Sequence, residues 1–286
     1  MVNPPFARLG PPRPGQPVLV SVPHGGREYP PGLALLSRLP VARLMPLEDR
    51  YADLLIDDAV AKGHSGLVAR TPRAWVDLNR SEREFDPGLV SSDGKMEPLA
   101  SAKVRGGLGI VPRRVSRGGD IWRGALSAEA FEARLAGIHR PWHASLAADL
   151  EDMLSRFGAA VLLDIHSMPP LPVPTGGVRP PQIVIGDLFG RSARGQFSRV
   201  ALLVAERHGF KAALNTPYAG GYILERHGQP ERGIHALQVE VDRSLYLDTM
   251  LNQPAAGIGR CRAFVAELAD ALADEALGTP LAVAAE

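Results

Sequence analysis

The stretch Val161-Leu162-Leu163-Asp164-Ile165 is an almost unbroken apolar run that ends in His166-Ser167. A strand that is apolar on both faces must be covered on both faces, which is the condition of a central strand in a parallel sheet. Pro17–Val22 is a second such run, and it ends in Pro23-His24-Gly25-Gly26. Two strands of this kind each carry a histidine into a polar turn, where α/β folds place their chemistry.

The rest of the chain alternates in the same manner. Leu47, Tyr51, Leu54, Leu55 and Ala59 recur at helical spacing before Gly63, which predicts a helix over 47–61 with Glu48 and Asp49 in its first turn. Gly66–Ala69 and Ala74–Leu78 read as strands, the second running into Asp77-Leu78-Asn79-Arg80. Ser127, followed by Glu129 and Ala130, opens a long amphipathic helix or helix pair to Phe157, interrupted at Pro141 and closed by Gly158. A strand over Gln182–Gly186, a helix over Ala193–His208, a strand over Ala236–Val241 and a last helix from about Pro254 to Leu277 complete the pattern. The expected fold is α/β: one domain over 17–286 with a mostly parallel central sheet flanked by helices, after a Pro-rich extension over 1–16. Residues 82–123 show little periodicity and read as a loop-rich insertion. So long a loop is either functional or structured in a way periodicity does not reveal.

Charge and cysteine content narrow the function classes. Lys and Arg number 32 against 31 Asp and Glu, so there is no basic field to hold a phosphate backbone, and nucleic acid is not an expected partner. The 30 glycines and 26 prolines, about a fifth of the chain, point to many ordered loops. The lone Cys261 excludes an internal disulfide and any cluster of thiolates. A metal would therefore sit on histidines and carboxylates. No segment has the apolar length of a signal peptide or a membrane span, so a cytoplasmic protein without a membrane partner is expected.

His24 and His166 are both expected at the carboxyl edge of the sheet, on the same side. Strand capping by hydrogen bonding is the competing account. Hydrolytic zinc sites use three protein ligands and leave one position for water. Asp49 is the expected third ligand, with Glu48 as its substitute, although a carboxylate in a first helical turn also has a dipole role. Asp164, two residues before His166, could orient that imidazole or cap a neighbouring loop. Gln238, Glu240 and Asp242 share one strand face, which is costly to bury unless they face a cleft. Glu240, at the centre, is the expected general base; an edge strand with one solvated face is the alternative. Asn79 and Arg80 suit a substrate carboxylate, the guanidinium through its planar fork, against a structural Asp–Arg pairing. Gly220-Gly221-Tyr222 offers a close backbone approach and a phenol.

Other signals fail on inspection. His139-Arg140-Pro141-Trp142-His143 has the spacing of a zincin helix but lacks the catalytic Glu, and Pro141 breaks the turn. The glycines at 106, 107 and 109 form neither a Rossmann fingerprint nor a Walker loop, and there is no Gly-x-Ser-x-Gly elbow. Arg105, Arg113, Arg114, Arg117 and Arg123 read as a solvated loop surface, with one or two as candidates to reach an anionic substrate.

An ordered series of stretches resembles the N-formylglutamate amidohydrolase family, whose fold is similar to zinc carboxypeptidases and aspartoacylases. The series is Val20–Gly26, Glu48–Asp53, Val76–Arg80, Gly109–Arg113, Arg140–His143, Asp164–Pro169, Ile185–Asp187, Gly220–Tyr222 and His235–Glu240, ending at Tyr246. After Gly-Gly-Tyr the chain departs from the family, reading Arg226-His227-Gly228 in place of a His-Tyr-Gly stretch. The resemblance implies zinc-dependent hydrolysis of the linear amide of a small N-formyl or N-acyl amino acid. It implies Glu240 as proton acceptor and donor, Asn79 and Arg80 on the substrate's α-carboxylate, and Arg73 as a candidate to stabilise the oxyanion. A carboxypeptidase-like peptidase of short peptides and a noncatalytic carboxylate-binding protein of the same fold are the competing expectations.

Overall fold

The computed structural model describes residues 4–94, 96–115, 118–173, 176–177 and 179–278. In chain order its strands are β1 (Phe6–Leu9), β2 (Val18–Val22), β3 (Ser65–Ala69), β4 (Arg114–Val115), β5 (Gly119–Asp120), β6 (Ala160–Met168), β7 (Ile183–Gly186), β8 (Ala212–Leu214) and β9 (Ile234–Asp242). Its α-helices are α1 (Pro31–Leu36), α2 (Val41–Leu44), α3 (Asp57–Ala61), α4 (Ala102–Arg105), α5 (Ala128–Arg134), α6 (Arg140–Phe157), α7 (Gly195–Arg207), α8 (Tyr222–His227) and α9 (Ile258–Ala276). Among the described residues no helix is long and apolar enough to cross a membrane.

The chain forms two compact units. The larger comprises Arg8–Val22, Tyr51–Leu67 and Leu146–Glu286 and is organised by a seven-stranded sheet in the order β1-β3-β2-β6-β9-β7-β8. β2 with β6, β6 with β9 and β7 with β8 pair in parallel, while β7 runs antiparallel to β9. The mostly parallel sheet flanked by helices is the one the alternating pattern predicts. Every residue of β2, β6 and β9 is buried, so β9 is an interior strand and the edge-strand reading of its polar row does not hold. α9 packs on β2 and β6 and against α3 and α7, and α7 also lies on β7, β8 and β9.

Three boundaries differ from expectation for local reasons. The last helix starts at Ile258 rather than near Pro254, because Pro254 bridges Leu247 in extended pairing. The Pro-rich extension contributes β1. The helix expected over 47–61 is three pieces: a 3₁₀ turn over Met45–Leu47, a second over Ala52–Ile56, and α3. Tyr51, in left-handed conformation at φ 58°, breaks the helical path, so Glu48 and Asp49 lie on non-helical backbone between the turns and not in a first turn. Gly63, at φ 96°, closes α3 as expected.

One histidine makes this unit sensitive to acid. His235 stacks on Phe197 with ring centroids 4.0 Å apart, and its Nδ1 accepts from the Arg194 amide. Burial first, and then the Arg194 charge, pull its pKa down to about 4 from an unfolded value near 6.5. Between those values the unfolded chain binds a proton that the folded one refuses, so stability rises with pH across the window and falls on acidification. The urea midpoint is expected to drop as pH is lowered from about 6.5 to 4, and His235→Asn should make that pH dependence shallower. An unchanged slope in the variant would contradict the assignment.

The second unit, Met1–Ala7, Pro23–Arg50 and Val68–Ser145, holds the stretch over 82–123. Among its described residues that stretch has little regular structure beyond α4 and the β4–β5 ribbon, yet it folds on an apolar cluster that includes Leu33, Val76, Phe85, Ile110, Trp122 and Phe131. Its backbone polar groups are satisfied by loop-to-loop bonds such as Asp77 N to Ile110 O at 2.7 Å and Ile110 N to Glu84 O at 2.6 Å. Ala74–Leu78 is not the predicted strand. Pro72 starts a turn, closed by Trp75 N donating to Pro72 O, and the segment continues as irregular buried backbone. Arg113 pairs with Asp86 at 2.8 Å, and Arg117 lies outside the described residues.

Ser127 caps the next helix by accepting from Ala130 N. The predicted interruption is present but falls before Pro141: Leu135–His139 is one π-helical turn between α5 and α6. Pro141 has no N–H to return to the preceding turn, which favours such a bulge there. Gly158, at φ 77°, ends α6.

Candidate active site

In the sheet, Ser21 of β2 stands beside Asp164 of β6, Asp164 beside Gln238 of β9, and His166 beside Glu240. Successive side chains of a strand alternate between faces, so Asp164 and His166 share one face with Gln238 and Glu240. The parallel pairing of β2 and β6 then puts His24, two residues past the end of β2, and His166 at carboxyl ends of neighbouring strands. Expectation and structure agree on this placement.

Each histidine is held by an aspartate through the same ring nitrogen. His24 Nε2 lies 2.7 Å from Asp77 Oδ1, and His166 Nε2 lies 2.8 Å from Asp164 Oδ2. Both aspartates are fully buried. A carboxylate accepts, so each Nε2 carries the proton and each Nδ1 presents its lone pair, the tautomer a metal ligand needs. Ser21 Oγ donates to the other oxygen of Asp164. Asp49 Oδ2 lies 3.4 Å from His24 Nδ1, and Asp49 N donates to His24 O at 2.9 Å. His24, Asp49 and His166 are all buried, and their side chains are of the kind that could hold a metal ion. Two neutral imidazoles and one carboxylate are a donor set suited to zinc.

Glu48 is engaged elsewhere. Tyr29 Oη donates to its Oε1, and Arg50 Nη1 donates to its Oε2 at 2.8 Å. Burial first, and then Glu48, push the Tyr29 phenol up from its ordinary value. Of the two acids, it is Asp49 that lies beside the Nδ1 of His24.

Asp77 is the hub on the His24 side. Besides His24 it accepts from Asn79 N at 2.9 Å and from Arg73 Nε at 2.8 Å, with Arg80 Nε at 3.9 Å. Burial alone would raise its pKa; the charges of Arg73 and Arg80 and the hydrogen bond from His24 overcome that and hold it well below the ordinary value. The Asp77–Arg80 pairing weighed as a structural alternative is present as a 3.9 Å ion pair, with Arg73 the closer partner of Asp77. Arg80 is buried and donates to Leu108 O at 2.9 Å and Asn79 O at 2.6 Å, so part of its fork serves the backbone. The hub role of Asp77 escapes a reading by spacing, because His24 is 53 residues away.

On β9, Gln238 Nε2 donates to Glu240 Oε1 at 2.8 Å, and Asp242 caps the following turn by accepting from Ser244 N and Oγ. Gly220 has φ 119°, and a Cβ there would lie 2.7 Å from Leu224 Cδ2, so the turn before α8 requires glycine. Gly221 is the residue before α8, and Tyr222, its first residue, accepts from Arg226 at its Oη.

The family model for N-formylglutamate amidohydrolase matches residues 16–247. An N-formylglutamate deformylase of Pseudomonas aeruginosa is 30% identical over 235 residues, 81% of this chain and 82% of that protein. A second N-formylglutamate deformylase, of Pseudomonas putida, is 28% identical over 238 residues with the same coverage. The crystal structure of N-formylglutamate amidohydrolase from Ralstonia eutropha JMP134 superposes with a TM-score of 0.87 at 25% identity, over 95% of this chain and 98% of that one. With a match spanning most of its length, this chain belongs to the N-formylglutamate amidohydrolase family, a family of hydrolases acting on linear amides.

Proposed function

We propose that this protein hydrolyses N-formylglutamate, or a close N-acyl amino acid, to formate or another carboxylic acid and the free amino acid, with a divalent metal, zinc, on His24, Asp49 and His166. The observation that carries the proposal is the pair of imidazoles each held through Nε2 by a buried aspartate, with Asp49 Oδ2 beside His24 Nδ1 and Glu240 in register beside His166. When bound, zinc supplies a Lewis acid that polarises the amide carbonyl and makes water a stronger acid.

The chain's own residues do the rest. Glu240 takes the proton of the attacking water and returns one to the leaving nitrogen, completing hydrolysis without net change in the enzyme. Asn79 and Arg80 hold the α-carboxylate. Arg73, fixed through Nε by Asp77, stabilises charge on the carbonyl oxygen. Gly220 and Gly221 let backbone approach the substrate, and the Tyr222 phenol contributes a hydrogen bond. A small-molecule substrate and a cytoplasmic setting complete the reading.

A panel of N-formyl amino acids, N-acetyl amino acids and dipeptides, followed by release of the free amino group, tests it. N-formyl-L-glutamate should give the highest kcat/KM and stoichiometric formate. Preference for dipeptides would instead make the protein a peptidase, and binding without turnover by the metal-loaded protein would make it a binding module.

A further inference from the structure

The pair His139 and His143 fails as a zincin motif, yet both side chains are completely buried. Their rings lie 4.5 Å apart. His143 Nε2 is 3.0 Å from Leu78 O, and His139 Nε2 is 2.8 Å from Arg80 O. A carbonyl only accepts, so both imidazoles donate from Nε2. One helical turn earlier, Arg134 Nη1 donates to Trp75 O at 2.9 Å. Its guanidinium is buried 3.5 Å from the centre of the Trp75 ring and 4.9 Å from that of Trp122. Three side chains of one helical run therefore end on three carbonyls of the six residues Trp75–Arg80.

The π turn makes this possible. In a regular α-helix residues five apart are rotated by about 140° about the axis, so Arg134 and His139 would face different ways. One inserted residue reduces the separation to about 40°, the same as that between His139 and His143. The bulge at Leu135–His139 thus lines up all three donors. The segment they grip has no strand ladder to fix it, and it carries Asn79 and Arg80. Glu82 Oε1, 3.7 Å from His139 Nδ1, faces the other ring nitrogen.

We propose that Arg134, His139 and His143 are positioning residues: by holding the carbonyls of Trp75, Arg80 and Leu78 they set the backbone that presents Asn79 and Arg80 to the substrate carboxylate. This rests on the carboxylate-binding role proposed above for Asn79 and Arg80. Carboxylate contacts made equally in ground and transition states govern KM rather than kcat. The expected signature is therefore a split between the two constants.

The test compares four variants of the zinc-loaded enzyme on N-formyl-L-glutamate. His143→Leu should raise KM about tenfold or more with kcat within about threefold, and His143→Gln, whose amide can donate to Leu78 O, should restore KM to within about threefold. Trp142→Phe removes bulk from the same helix, where Trp142 sits edge-on to Phe6 at 5.7 Å; it should lower the unfolding midpoint and leave KM alone. Asn79→Ala tests the underlying role. If Asn79→Ala raises KM and His143→Leu does not, the positioning role is overturned alone; if Asn79→Ala leaves KM unchanged, the carboxylate reading itself falls. Should His143→Leu fail to fold, imidazole ¹⁵N spectra of the unmutated protein decide. Protons on Nε2 of both His139 and His143 support the arrangement, and a proton on Nδ1 with bare Nε2 in either refutes it.

Discussion

Glu240→Gln is expected to lower kcat by about 10²-fold or more, the usual range for loss of a positioned general base, while zinc content stays at one per chain. The substitution keeps shape and hydrogen-bonding reach but removes the ability to take a proton. Glu240 is suited to such a test because its surroundings are fixed: it lies on an interior strand, its Oε1 accepts from Gln238 Nε2 at 2.8 Å, and it pairs in register with His166. A Gln amide oxygen can still accept from Gln238, so folding should be preserved and the loss confined to chemistry. Elemental analysis alongside kinetics gives the decision. A variant that turns over at the wild-type rate removes Glu240 from the mechanism, and one that has lost its zinc makes it a ligand.

Chelation should abolish turnover, and stoichiometric zinc should restore it without a refolding step. Two of the three proposed ligands lie at the ends of β2 and β6, neighbouring strands that are buried throughout, and their imidazoles are locked by Asp77 and Asp164. The donors are thus in place before the ion arrives, so the far-ultraviolet circular dichroism should not change on its removal. The thermal midpoint should fall, because an ion at 100 times its dissociation constant stabilises the native state by about 2.7 kcal/mol. Full activity in protein shown by elemental analysis to be metal-free would rule out the metal mechanism.

Much of this arrangement is legible in the sequence because strand alternation is strict. The apolar run before His166 and the alternating row of Gln238, Glu240 and Asp242 announce a buried sheet with one polar face, and the structure puts Asp164 on His166 as one of the two roles foreseen for it. Local readings fail where tertiary contacts replace periodicity. Ala74–Leu78 has the composition of a strand but lies in a turn fixed by Pro72 and tied to Ile110. Asp49 has the spacing of a helix start, but the left-handed Tyr51 prevents a continuous helix. Asp77 reads as an ion-pair partner of arginine, which it is, while its bond to His24 requires a contact no spacing rule reaches. The antiparallel entry of β7 beside β9 is also invisible to pattern, since a strand's direction leaves no mark on its own apolar run.

The independent apolar cluster beneath residues 82–123 has an evolutionary consequence. Ladder-bound backbone cannot change length without shifting every partner, whereas loops anchored by scattered carbonyl bonds and a private core can gain or lose residues at their tips one at a time. Descendants of this chain would be expected to diversify there first, while the ladder-bound strands of the central sheet stay as they are.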